Sequence, residues 1–348
     1  MRKVFRLFAV IVLTAVMAVT TSSCKKENKV TLKVYNWGDY IGEDVIDAFE
    51  EEYGIDVIYD TFTSNEEMLV KIEKGGGSYD VLFPSDYMIE KMIKKNMLHK
   101  IDFNNIPNYK YIDEKFKNLD YDPNNEYSVP YMWGTLGIVY NTKKVTETVD
   151  SWNILWDEKY KKEIFMYDSQ RDSLAVALKK LGFSLNTQNI EELEAAKQEL
   201  MKQKPLVLSY VGDDVKNSMI MGTGALAVVY SGDAVFMKGE NPNLEYVVPK
   251  EGSNFFVDAM VIPANSKHKK EAELFINFMC RTDIAVKNVE YIGYSTPHTA
   301  AKELLDTELK NDEDAYPGDE ILKRCEMFHD LGDFVKEYDR VWTEIMAK

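Results

Sequence analysis

The sequence predicts an α/β protein of two lobes that share the chain between them. Three observations predict it. Strand and helix patterns alternate from residue 32 onward, the alternation recurs in the second half, and no Pro/Gly/Ser-rich linker separates the halves. A chain of 348 residues is also longer than one ordinary core suits. Without a linker, the chain must cross between the lobes more than once. With 45% hydrophobic and 29% charged residues, the composition is that of a folded domain.

The first 23 residues read as a targeting segment. Arg2, Lys3 and Arg6 precede an apolar run from Leu7 to Val19, too short for a comfortable permanent span. Thr21-Ser22-Ser23-Cys24 follows, and it resembles a bacterial lipoprotein cleavage box with Thr21 in place of the usual Leu. That reading places a lipid anchor on Cys24 and a polar tether over residues 24–29. A plain secretory signal or a retained anchor are the alternatives. Removing residues 1–23 takes away three positive charges and no negative ones, so the formal charge goes from −16 to −19. Such an acidic surface disfavours nucleic acid and steers cations.

The elements then run in order. Residues 32–36 alternate as a strand, and 43–53 form a helix that Gly54 ends. Residues 55–61 are a second strand. Ser64 caps a helix over 65–74. After a glycine loop, 80–84 is an apolar, buried strand. Helices are expected over 152–160, 172–181 and 191–203, strands over 225–230, 243–248 and 257–262, and a strong helix over 270–279. From residue 300 the chain is mostly helical.

Catalytic motifs are missing. The triple glycine lacks the Lys-Ser or Lys-Thr of a phosphate loop, and neither G-x-S-x-G nor H-E-x-x-H occurs. The four histidines are scattered and lack zinc spacing, so no metal or other cofactor is expected. Cys280 and Cys325 can be free thiols or a pair.

Several runs resemble one family. They include Val34-Tyr35-Asn36-Trp37-Gly38-Asp39-Tyr40, Val81-Leu82-Phe83-Pro84-Ser85-Asp86-Tyr87, Val129-Pro130-Tyr131-Met132-Trp133-Gly134-Thr135, Ser231-Gly232-Asp233-Ala234 and Ile292-Gly293-Tyr294-Ser295-Thr296-Pro297. Along the whole mature chain these are similar to the spermidine/putrescine-binding proteins of ABC importers, the PotD and PotF family. The resemblance implies a periplasmic-binding-protein fold, with two discontinuous α/β lobes around a hinged cleft. It assigns residues 30–136 with 258–302 to lobe 1, and 137–257 with 303–348 to lobe 2. It also implies a monomeric receptor, lipid-anchored outside the bacterial cytoplasm, that delivers a polyamine to a permease and its ATPase.

A polyamine joins ammonium groups by methylenes. Its receptor needs carboxylates for the charges and aromatic walls for the carbon chain. By resemblance, Trp37 is an aromatic wall, with Asp39 and Tyr40 next in line; a solvated loop charge is the alternative for Asp39. Ser85 and Tyr87 form a polar site loop. Asp172 matches a site carboxylate, with a helix-start Asp as the alternative. Whether Asp168 or Ser169 faces the cleft stays open. Tyr230 stands for a family Trp, and Asp233 resembles the putrescine-type relatives. Phe256 and Asp258, two apart in an extended segment, point the same way and pair a ring with a carboxylate. Tyr294 matches a site residue. His329 replaces a family Gln. Protonated imidazole would repel a dication, so binding is expected to weaken below about pH 6.5. Putrescine and spermidine both remain candidates. The competing readings are a same-fold receptor for a sugar or ferric ion, and an extracytoplasmic enzyme.

Overall fold

The computed structural model describes residues 30–75, 77–212 and 214–347. The proposed signal segment, tether and Cys24 lie outside the described residues. Among the described residues, eight strands lie on one hydrogen-bonded path in the order β2-β1-β3-β9-β4-β7-β5-β6, and a ninth, β8, pairs with β4 off that path. The strands are β1 (Thr31–Trp37), β2 (Asp56–Phe62), β3 (Val81–Leu82), β4 (Ser128–Asn141), β5 (Ile164–Tyr167), β6 (Val207–Val211), β7 (Leu226–Tyr230), β8 (Leu244–Val247) and β9 (Phe255–Val261). β1 runs parallel to β2 and β3 at one end, and β5 runs parallel to β6 and β7 at the other. Crossover helices make these parallel pairings, as the alternating pattern predicts.

β4 joins the two groups. Its first part, Ser128 to Thr135, pairs antiparallel with β9, while Leu136 to Tyr140 pairs with β7 and Ile138 to Asn141 with β8. The apolar cores divide around the same strand. Leu32, Phe49, Met260 and Phe275 share one core, and Leu136, Trp152, Leu174 and Tyr338 share another.

The early helices follow the sequence pattern. α1 (Val45–Tyr53) buries Val45 and Phe49 and ends at Gly54, whose φ of 67° suits glycine. α2 (Asn65–Glu73) starts where the Ser64 hydroxyl accepts from the Glu67 amide. α3 (Asp86–Lys94) follows β3 directly. In the second half lie α4 (Gln170–Lys180), α5 (Ile190–Gln203), α6 (Val215–Ile220) and α7 (Ser231–Glu240). α8 (Lys269–Met279) and α9 (Thr282–Ile292) come next, then short helices between residues 299 and 322, and α10 (Val335–Met346).

Some expectations needed correction. The 152–160 helix is two short 3₁₀ turns, and the 80–84 strand keeps only two paired residues. β4 was unforeseen because almost every residue in it is buried, which removes the period of two. It also contains Pro130, Gly134 and Gly137, which read as breakers. Pro130 borders a register shift, where a missing donor is tolerated. A Cβ at Gly137 would come within 2.5 Å of the Tyr246 ring, so glycine is needed for that approach. Cys280 and Cys325 are free thiols.

Candidate functional site

A cavity of about 430 Å³ lies between the two strand groups. The carboxyl ends of β1, β3, β5 and β7 all open onto it, the usual ligand position in open α/β sheets. β1 delivers Trp37, Asp39 and Tyr40; the end of β3 delivers Ser85 and Tyr87; β7 and the start of α7 deliver Tyr230 and Asp233. Asp172 comes from the first turn of α4, Phe256 and Asp258 from β9, and Tyr294 from the segment after α9.

Three buried carboxylates each lie beside a tyrosine hydroxyl. Tyr40 Oη donates to Asp258 Oδ2 at 2.7 Å, and Ser85 Oγ donates to Asp258 Oδ1 at 2.6 Å. Burial nevertheless pushes the Asp258 carboxyl up to about 6, despite relief from these two hydroxyls. Tyr294 Oη donates to Asp233 Oδ2 at 3.2 Å. Asp172 accepts from Ser169 Oγ at 2.5 Å, and burial raises its pKa while the Ser169 and Tyr230 hydroxyls oppose the rise. Its Oδ1 makes no hydrogen bond of normal geometry, although Tyr230 is close enough to stabilise the charge. Buried oxygens of this kind call for a donor.

Aromatic rings link these carboxylates. Tyr40 meets Tyr294 edge-on at 5.5 Å, Tyr294 lies 6.1 Å from Phe256, and Phe256 meets Tyr230 at 5.1 Å. Trp37 packs on Phe62 at 4.5 Å, with its indole N–H held by the Phe83 carbonyl at 2.8 Å. Support comes from behind. Asn65 donates to Ser85 Oγ and to Tyr87 Oη, and Tyr131 Oη donates to the Tyr40 carbonyl.

Eleven of the twelve candidate ligand residues line this cavity; His329 does not. The imidazole is 40% exposed, with Nδ1 3.5 Å from Glu90 Oε2. Its neighbour Phe328 lines the wall instead, because adjacent residues of an extended segment point to opposite sides. Asp168 and Ser169 both line the cavity, so they are not exclusive choices. Gly38 lies on it too, and a Cβ placed there would meet nothing within 4 Å.

Other lining residues carried no signal of their own. Asp86 sits fully buried at the start of α3, accepting from the Tyr87 and Val257 amides at 2.7 and 3.1 Å. Burial pushes its carboxyl up to about 8, so it is mostly neutral at pH 7. Arg171 is buried with its guanidinium 4.4 Å from the Phe328 ring centre, donating to the His329 carbonyl at 3.2 Å. Lys216, on α6, reaches Asp233 at 3.3 Å. No His/Cys/Asp/Glu group among the described residues could hold a metal ion, and no described helix is long and apolar enough to cross a membrane.

Residues 44–317 match the family model of the bacterial extracellular solute-binding proteins. The chain is 38% identical, over 95% of its length and 96% of the relative's, to the spermidine/putrescine-binding periplasmic protein of Salmonella typhimurium. It is 30% identical to the putrescine-binding periplasmic protein PotF of Escherichia coli, over 90% of each chain. Among solved structures it is similar to the spermidine/putrescine ABC transporter substrate-binding protein PotD from Streptococcus pneumoniae, with TM-score 0.81 and 42% identity, over 92% of this chain and 99% of that one. The Tp0655 (TpPotD) lipoprotein of Treponema pallidum also superposes with TM-score 0.81, at 28% identity, over 90% of this chain and 99% of that one.

Proposed function

Because the chain belongs to the bacterial extracellular solute-binding protein family, we propose that it is the polyamine receptor of an ABC importer. One observation carries this reading: three buried carboxylates, Asp172, Asp233 and Asp258, stand beside tyrosine hydroxyls along one aromatic wall. Burying three anions is costly unless cations meet them. A chain of ammonium groups and methylenes matches both the charges and the rings. The putrescine and spermidine for which the relatives are named set the expected range. A neutral sugar would bring no cation to Asp172 or Asp258, and among the described residues no group of three or more His, Cys, Asp or Glu side chains could hold a ferric ion. The receptor role assigns the cavity to capture and release for a permease and its ATPase, without chemistry on the ligand.

Calorimetry on the mature protein with putrescine, spermidine, spermine, maltose and ferric citrate tests this. Heat with at least one polyamine and none with maltose or ferric citrate is expected. Silence with every polyamine overturns the assignment.

Export and anchoring belong to the same proposal. Arg2, Lys3, Arg6 and the apolar run support a signal segment, and Cys24 supports a lipid anchor. The similarity to a Treponema lipoprotein supports this too. Expressed in a bacterium, the protein should fractionate with membranes and incorporate labelled palmitate. Cys24→Ala should abolish the label; a label that persists removes the anchor.

A further inference from the structure

Lys216 is a cation on the wall of a cavity whose three buried carboxylates suit cations; the buried Arg171 lines the same cavity. Its ammonium lies 3.3 Å from Asp233 Oδ1, its side chain is 26% exposed, and Asp233 is 8% exposed. Asp233 also accepts from Tyr294 Oη through its other oxygen. Lys216 lies on α6, which follows β6 in the chain, so the lysine comes from the same half as Asp233. No local pattern in the sequence marks Lys216 as a ligand residue.

We propose that Lys216 determines which polyamine the cavity prefers. The proposal rests on the polyamine reading above. A fixed ammonium beside Asp233 competes with any ligand ammonium for that carboxylate. It also repels every ammonium in the cavity, and the repulsion grows with the number of charges the ligand carries. A trication therefore loses more affinity to Lys216 than a dication does. The lysine tilts selection towards the diamine while Asp172 and Asp258 remain for ligand charges. Specificity of this kind is a difference between two affinities, set by a repulsive element.

The test compares wild type, Lys216→Met and Lys216→Arg by calorimetry with putrescine and spermidine, at low and physiological salt. Lys216→Met should tighten spermidine more than putrescine, moving the ratio of dissociation constants roughly five-fold towards the triamine at low salt, and less at high salt. Lys216→Arg keeps the charge and should leave the ratio within about two-fold of wild type on the same electrostatic reasoning. An unchanged ratio in Lys216→Met, or weaker binding of both ligands, overturns the proposal. Thermal melting of each variant checks its fold; if Lys216→Met does not fold, Lys216→Gln takes its place under the same criteria. Failure of the polyamine reading looks different: wild type then gives no heat with either ligand.

Discussion

At the scale of single residues, Asp258 decides most. It is 5% exposed, it takes both the Tyr40 and the Ser85 hydroxyl, and its carboxyl is pushed up to about 6 by burial. A ligand ammonium pairs with the ionised form. Affinity should therefore fall as pH drops through 6, by up to about tenfold per unit. Asp258→Asn should cost about 2 kcal/mol or more in binding. The same substitution should stabilise the ligand-free protein at pH 7. The folded carboxyl holds its proton more tightly than the unfolded one. Ionisation therefore costs stability as pH rises from the unfolded value through 6, by at most about 3 kcal/mol. Denaturant titration of both proteins at pH 5 and pH 7.5 checks this, and an equal difference at the two pH values would contradict it. The His329 ring faces Glu90 outside the cavity, so His329→Gln should leave the pH profile of binding as in wild type.

What could be read from the sequence at this scale has a physical pattern. Trp37 and Tyr230 end strands, Ser85 and Tyr87 follow one, and strand ends are where an α/β site forms. Phe256 and Asp258 were readable as a same-side pair, and both line the cavity. Lys216, Asp86 and Arg171 were not readable. Each sits at a helix start whose polar residues look the same whether they face solvent or a cavity. His329 was misplaced by one residue, because family resemblance at a position says nothing about which side an extended segment presents.

At the scale of elements, α7 is the piece on which the site's geometry depends. It starts directly after β7, with Gly232 under the Tyr294 ring. A Cβ at Gly232 would lie 2.1 Å from that ring. Only glycine lets the tyrosine lie low enough for its hydroxyl to reach Asp233, one residue further along α7. Gly232→Ala should cost about 1–3 kcal/mol of stability, the usual range for overpacking, and should weaken polyamine binding by displacing Tyr294. Chemical denaturation and calorimetry read the two effects. A variant that melts like wild type and binds equally well would show that the ring has room to move. β4 teaches the complementary lesson. Its glycines look like breaks in the sequence, yet Gly134 and Gly137 are close approaches within one strand, against Ser231 and Tyr246.

At the scale of the molecule, the cavity belongs to neither half alone. Tyr40, Ser85 and Asp258 sit with the β1-β3-β9 group, while Asp172, Tyr230 and Asp233 sit with the β5-β7 group. The Tyr294–Asp233 hydrogen bond and the Phe256–Tyr230 ring contact already run between them. β4 passes from one group to the other between Thr135 and Leu136, and the chain returns at β9. Few connecting strands and a ligand that contacts both sides are the conditions for hinge closure. On the proposed division into two lobes, a polyamine held by Asp258 on one side and Asp172 on the other draws the halves together. Small-angle X-ray scattering should then give a smaller radius of gyration with saturating putrescine or spermidine than without. Asp172→Asn should weaken both the binding and the compaction, because it removes an anchor from one half while leaving Asp258 intact. The ligand should also raise the melting temperature of the whole molecule. At a hundredfold excess over the dissociation constant, mass action contributes about 2.7 kcal/mol. If heat of binding is measured but the scattering curves coincide, the ligand contacts are made without closure, and the receptor works without a hinge.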